Sequence, residues 1–148
     1  FGAPDSLRVA RALRQVTRRL GVGLLIGADP ALARDCAADG VHLPERRAHL
    51  AGRLRRAHPD WLITAAAHSL PAARRGLAFG ADAVVVSAVF PSRSPSAGAP
   101  LGPMRLAALT RAAGGPVFAL GGINTKNARR LLASGVVGLA AVEGLSPR

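Results

Sequence analysis

Cysteine is almost absent from this chain: Cys36 stands alone in 148 residues, so no internal disulfide can staple the fold. Its neighbours Ala33 and Ala37 place it in a helical pattern, where a small buried residue packs. Aromatic residues are as scarce, at 3% with no tyrosine, which removes the ring platforms on which nucleic-acid bases stack. Acidic residues number 8 against 20 basic ones, a net charge of +12, which would ordinarily point to a polyanionic partner. Here the basic residues are 19 arginines and Lys126, spread over every predicted helix with adjacent pairs at Arg18-Arg19, Arg55-Arg56 and Arg74-Arg75. A solvated arginine-rich surface fits this dispersal better than a nucleic-acid interface. Long apolar runs are lacking too: the longest are strand-sized, short of the roughly 18 residues of a membrane span. No charged start followed by an apolar stretch marks a signal peptide. A cytoplasmic protein without membrane contact is expected.

What is present is hydrophobic bulk, 49% of residues with a mean hydropathy of +0.24, enough for one globular domain over residues 1–148. Apolar positions at Leu7, Val9, Ala10, Leu13, Val16 and Leu20 recur at helical spacing and stop at Gly21;. The run 23–27, bounded by glycines, is strand-sized, and Asp29-Pro30 opens a helix with a cap and a proline at its first position;. The alternation continues with strands at 40–43, 61–65, 83–87, 116–120 and 137–142, and helices at 46–57, 70–79, 103–113 and 125–133. Six strands and six helices are expected. The strands are apolar throughout, as in a parallel sheet covered on both faces.

Alternation alone suits a doubly wound open sheet or a closed TIM (β/α)8 barrel. Two features favour the α/β barrel. A similar helix-to-strand corner recurs at Ala38-Asp39-Gly40-Val41, Gly80-Ala81-Asp82-Ala83 and Gly135-Val136-Val137-Gly138. Polar and glycine residues also collect after strand C-termini, where barrels hold their chemistry: 27–29, His68-Ser69, 92–94 and Gly121-Gly122;. The chain opens at Phe1 without an initiating methionine, so upstream residues are expected to complete the barrel, this chain carrying its last six strands.

Gly121-Gly122-Ile123-Asn124 follows a strand and opens a predicted helix, so its backbone amides and the helix dipole would suit a phosphate. The loop after the last strand, Val142-Glu143-Gly144, is expected to share that grip, although a carboxylate at Glu143 repels phosphate unless it turns away or pairs with an arginine;. It would alternatively serve as an acid/base group. His42 reads as a structural histidine inside a strand, and His49 and His58 as surface residues.

Taken together, Gly40-Val41-His42-Leu43, Ala67-His68-Ser69, Gly80-Ala81-Asp82, Val89-Phe90-Pro91-Ser92, Pro100-Leu101-Gly102 and Leu120-Gly121-Gly122-Ile123-Asn124 resemble the thiamine phosphate synthase and TenI family. The resemblance implies a TIM barrel that handles thiazole phosphate in thiamine biosynthesis, with a first strand, first helix and second strand lying upstream of this chain. The synthase branch joins thiazole phosphate to a pyrimidine diphosphate with Mg²⁺. Where those synthases carry an Asn-Asp pair, this chain has Gly27-Ala28; where they carry a second metal-binding Asp, it has Arg47, with Glu45 nearby. Asp29, one residue beyond the first position, reads as a helix cap. Ser92 and Ser94 match hydroxyls that hold thiazole phosphate, but Pro95 replaces the diphosphate-binding lysine.

The monophosphate grip is thus kept while Mg²⁺ and diphosphate handling is lost, and no metal or other cofactor is expected. TenI-like members resemble thiazole tautomerases, which need no metal and use a histidine at the position of His68. A histidine titrates near neutrality and suits proton transfer between carbons. The alternative role for His68 is capping the helix that begins near Leu70. The favoured expectation is therefore an isomerase with His68 as catalyst, Gly121, Gly122, Val142, Glu143 and Gly144 around the phosphate, and Ser92 and Ser94 on the substrate. Two alternatives stand beside it: an Mg²⁺-dependent synthase releasing pyrophosphate, and a non-catalytic regulator that binds a phosphorylated ligand. A homo-oligomer is compatible with any of them.

Overall fold

The computed structural model describes residues 5–92 and 98–142. Ser94, Pro95, Glu143 and Gly144 lie outside the described residues. The amphipathic spacing of the first segment gives α1 (Ser6–Arg19), followed by β1 (Leu25–Gly27). Asp29 caps α2 (Pro30–Asp35), its Oδ1 accepting from the Leu32 amide at 3.0 Å;. Cys36 closes that helix, buried as expected of a packing residue.

β2 (Gly40–Leu43) runs through a 3₁₀ turn, Glu45–Leu50, into α3 (Ala51–Ala57). β3 (Leu62–Ala67) leads to α4 (Leu70–Ala78), whose cap is Ser69, with Oγ accepting from the Ala72 amide at 3.3 Å. β4 (Ala83–Val86), α5 (Gly102–Ala113), β5 (Val117–Ala119) and β6 (Gly138–Leu139) complete the order. Among the described residues no helix is long and apolar enough to cross a membrane.

Two predicted helices differ from expectation. Residues 46–57 start as 3₁₀ before becoming α-helical, and 125–133 yields only the 3₁₀ turn Ala128–Leu131. Asn124 Oδ1 accepts from the Lys126 amide at 3.0 Å, and Asn127 Oδ1 from the Asn124 amide at 2.9 Å. With the Asn127 amide also donating to Asn124 Oδ1 at 3.3 Å, the pair forms a reciprocal cap that holds the start of the turn;. Five α-helices, not six, are present among the described residues, and the last strand is shorter than the 137–142 expected.

The six strands form one parallel sheet in chain order, β1-β2-β3-β4-β5-β6. This is the sequential arrangement of a β/α barrel, left open because closure takes eight strands. Alternation along the strands sorts the two faces. Val41, Leu43, Ile63, Ala65, Ala67, Val84, Val86, Val117 and Ala119 are sealed in one core with Ala73 and Leu106 of the helices. The opposite face carries His42, Thr64, Ala66, Val85 and Phe118 in register, with Thr64 buried and the others half-buried. That face would line the barrel interior, and its partial exposure follows from the open sheet.

The repeated corners are one device used three times. The amides of Asp39, Asp82 and Val137 donate to the carbonyls of Leu24, Ile63 and Val117 at 2.8–2.9 Å. The two aspartates add their side chains: Asp39 Oδ2 accepts from the Leu24 amide and Asp82 Oδ2 from the Ile63 amide, both at 2.7 Å. Each also pairs with an arginine of the preceding helix segments, Arg14 or Arg55. The Leu24 amide first, and the Arg14 guanidinium second, hold the Asp39 carboxyl below its ordinary value;.

Candidate functional site

In a parallel sheet every strand C-terminus lies on one edge, so chemistry distributed along the sequence gathers there. β2 delivers Glu45 to this edge and β3 delivers His68 beside it, because the two strands are hydrogen-bonded neighbours. Glu45 Oε2 accepts from the His68 backbone amide at 2.9 Å and from its ring Nδ1 at 2.8 Å. A carboxylate only accepts, so Nδ1 carries the proton and Nε2 remains the basic nitrogen. Arg75 Nη2 stands 4.0 Å from the other Glu45 oxygen. The His68 side chain is 49% exposed and open to a ligand. With Ser69 supplying the cap of α4, His68 is not needed for that role.

The Glu45 partnership was not anticipated from the sequence, in which Glu45 figured only as a residue near the second metal position. A sequence separation of 23 hides a contact that only strand adjacency creates. A second unanticipated contact lies next to it: Arg47 Nη1 donates to the Ala28 carbonyl at 2.9 Å. Ala28 has a left-handed backbone, φ +61°, and its amide donates to the His42 carbonyl at 2.9 Å.

After β5, Gly121 and Gly122 have φ of +100° and +65°, which favour glycine;. A Cβ on Gly121 would lie 2.8 Å from Ala88 Cα, and one on Gly122 only 2.3 Å from the Pro91 carbonyl oxygen. The two glycines thus let the loops after β4 and β5 pack backbone to backbone. Among the described residues no hydrogen bond uses the Gly121 or Gly122 amides. The expected helix dipole behind them is missing, since only the short 3₁₀ turn follows and the Asn124 amide is taken by Asn127. Asn127 Nδ2 also donates to the Gly122 carbonyl at 2.8 Å, fixing the turn.

Ser92 lies half-buried on the loop after β4, and Val142 is 78% exposed after β6. Both are on the same edge as Gly121, Gly122 and His68. His42 faces the interior side, where Nδ1 meets Thr64 Oγ1 at 2.9 Å. Burial pushes its pKa below the ordinary value, consistent with a structural histidine;. His49 is exposed, whereas His58 is half-buried and stacks on Trp61 with ring centroids 3.7 Å apart. An open cleft lined by Arg14, Thr17, Arg18 and Asp39 belongs to the opposite edge, where its ion pair braces a corner.

Among the described residues, the side chains at the positions considered for Mg²⁺, which takes hard oxygen ligands, do not suit it. Gly27-Ala28 offers no side-chain oxygen, Arg47 is a cation, and Glu45 is committed to His68. Among the described residues no group of three or more His, Cys, Asp or Glu could hold a metal ion.

Comparison with known proteins agrees with this architecture. The family model described as thiamine monophosphate synthase, TMP-TENI, matches residues 2–145. The chain is 38% identical to the thiamine-phosphate synthase of Chromobacterium violaceum, over 94% of this chain and 67% of that protein. It is 39% identical to that of Bordetella avium, over 92% and 66%. The solved thiamine phosphate pyrophosphorylase from Pyrococcus furiosus superposes with a TM-score of 0.80 at 30% identity, covering 95% of this chain and 68% of that one. The chain therefore spans about two thirds of the length of these relatives. Their names favour the synthase, the alternative to the proton transfer expected from the sequence. Matching strands, ordered motifs and relatives converge: the chain belongs to the thiamine monophosphate synthase (TMP-TENI) family.

Proposed function

We propose that the C-terminal edge of the sheet binds a thiazole monophosphate and that His68, held by Glu45, moves a proton on it without a metal. The carrying observation is the double acceptance by Glu45 Oε2 from the His68 amide and ring Nδ1, at 2.9 and 2.8 Å. It leaves Nε2 as a base. Nε2 removes a proton from one carbon of the substrate and, as imidazolium, returns it to another, with no atom gained or lost. Glu45 orients the ring and stabilises its transient positive charge.

The phosphate contacts in this proposal are the unused amides of Gly121 and Gly122, the backbone of Val142, Glu143 and Gly144, and the hydroxyls of Ser92 and Ser94. Backbone amides left without a partner in a glycine turn suit an anion;. Within the last loop the contact is assigned to backbone, because the Glu143 carboxylate would repel phosphate.

The names of the relatives favour a second reading, the synthase that joins thiazole phosphate to a pyrimidine diphosphate and releases pyrophosphate. Mg²⁺ would supply charge neutralisation there, and the side chains at Ala28 and Arg47 do not suit it. One experiment on the full-length protein separates the two. Thiazole phosphate in D₂O is followed by NMR for solvent-proton exchange, and a coupled assay follows pyrophosphate release with Mg²⁺. Exchange lost in His68→Ala supports proton transfer. Pyrophosphate release without exchange replaces it by the synthase, and ligand binding with neither turnover leaves a regulator.

A further inference from the structure

Helix α1 turns its most apolar face to water. Val9, Leu13, Val16 and Leu20 follow one another at steps of four, three and four residues, so they line one side of the helix;. They are 49%, 49%, 51% and 70% exposed, whereas Ala10 alone of α1 is sealed in the core. Next to this stripe β1 is an edge strand, hydrogen-bonded to β2 alone, and β6 ends the sheet on the other side. Neither edge carries a charge or a proline to discourage pairing, since β1 is Leu-Ile-Gly and β6 is Gly-Leu;. We propose that the α1 stripe and the two bare edges form one seat, filled in the full-length protein by a single β-α-β unit that precedes α1 in the same polypeptide.

Three observations select this occupant. Every strand from β2 to β6 pairs with the strand before it in the chain, and the same rule applied to β1 puts its other neighbour immediately ahead of α1. Eight parallel strands close a ring, so two more bridge β1 and β6. The helix that joins those two crosses on the outer side of the sheet. That is the side of α1, whose Ala10 shares the core of Ala33 and Val41. The relatives also hold about a third of their length beyond this chain, ample for the roughly 30 residues of such a unit. A second copy suits the seat less well. α1 carries five arginines and no acid, so α1 laid on its twin would set like charges against each other. A two-fold pair joined through α1 would also leave both β6 edges bare.

Thiol labelling of the full-length protein tests the seat, in a background whose native cysteines, Cys36 included, are replaced by serine. Leu13→Cys is compared with a cysteine placed at Met104, a position 87% exposed at the start of α5. The thiol at position 13 is expected to react with a maleimide at least tenfold more slowly under native conditions, at a rate independent of protein concentration, and as fast as the other in urea. In urea unfolding Leu13→Ala should lower the midpoint by about 1 M, as for a core leucine, and Met104→Ala should leave it in place. Val16→Cys repeats the comparison one turn along, so a Leu13 variant that fails to fold does not end the test. Equal native labelling on the stripe and at position 104 puts the stripe in water and overturns the proposal. Protection that fades on dilution, as a dimer gives way to a monomer in sedimentation, assigns the stripe to a second copy and overturns it as well.

Discussion

Replacing Gly122 by alanine tests whether the paired glycines are needed for their backbone shape, for close packing, or for both. Gly122 has φ +65°, and an added Cβ would sit 2.3 Å from the Pro91 carbonyl oxygen and 2.9 Å from the Phe90 carbonyl carbon. Gly114, at the C-terminus of α5, has φ +83° but nothing within 4 Å of an added Cβ. The left-handed conformation costs alanine about 1–2 kcal/mol, offset by about 0.4–1 kcal/mol from the stiffer unfolded chain. Gly114→Ala is therefore expected to destabilise by roughly 1 kcal/mol. Gly122→Ala adds a clash with backbone that no rotamer can relieve, about 1–3 kcal/mol more on the scale of overpacked sites. Urea unfolding of the two variants, compared at equal m-value, reads the difference directly. A Gly122→Ala midpoint no lower than that of Gly114→Ala would refute the close-packing account of the β4 and β5 loops.

Other consequences can be checked independently. His68→Ala is expected to lower proton exchange on thiazole phosphate by about 10²–10⁴-fold, while Glu45→Gln, in a partly exposed pair contributing about 1 kcal/mol after solvent screening, should lower it about fivefold. Equal activity of Glu45→Gln and wild type in steady-state kinetics would remove Glu45 from the mechanism. Asp82→Ala leaves the Ile63 amide without its carboxylate partner and should cost about 1.5–3 kcal/mol in urea unfolding;. A double-mutant cycle with Arg55→Ala should assign no more than about 1 kcal/mol of that to the half-exposed ion pair;. His42 has a folded pKa depressed by burial, so the unfolded chain takes up its proton first as pH falls;. Stability from this group is full above about pH 6.5 and is lost as pH drops from there to the folded pKa. Urea midpoints from pH 8 to pH 5 should fall more steeply in the wild type than in His42→Gln.

Much of the architecture was legible because it is written in short range. Asp29-Pro30, Ser69 and the helical spacing of 7–20 each specify a terminus or a face with local chemistry, and the structure places those elements where the residues put them. The helix expected at 125–133 reaches only the 3₁₀ turn Ala128–Leu131, even though Asn124 and Asn127 cap its start by each accepting from the other's amide;. The strand residues looked uniformly apolar, yet the register separates a sealed face at Val41 and Val84 from a half-buried one at His42 and Val85. His68 could be singled out by its place after a strand. Its partner could not, because Glu45 belongs to a different β/α unit.

The two edges of the sheet divide the work of the charged residues. At the strand N-termini, Asp39 and Asp82 bind the backbone they follow and an arginine apiece, so each acid is used up in holding a corner. At the strand C-termini, Glu45 and Arg47 are two residues apart on one turn yet face different partners: the acid turns to His68 just after β3, the base to Ala28 just after β1. Had these two side chains paired with each other, the edge would hold neither an oriented imidazole nor a cation with free donors. Their partners lie on opposite sides of β2, so the two residues share none of them. Substitutions at Glu45 and Arg47 should therefore combine additively in urea unfolding, within about 0.5 kcal/mol; coupling beyond that would mean that acid and base act as one network.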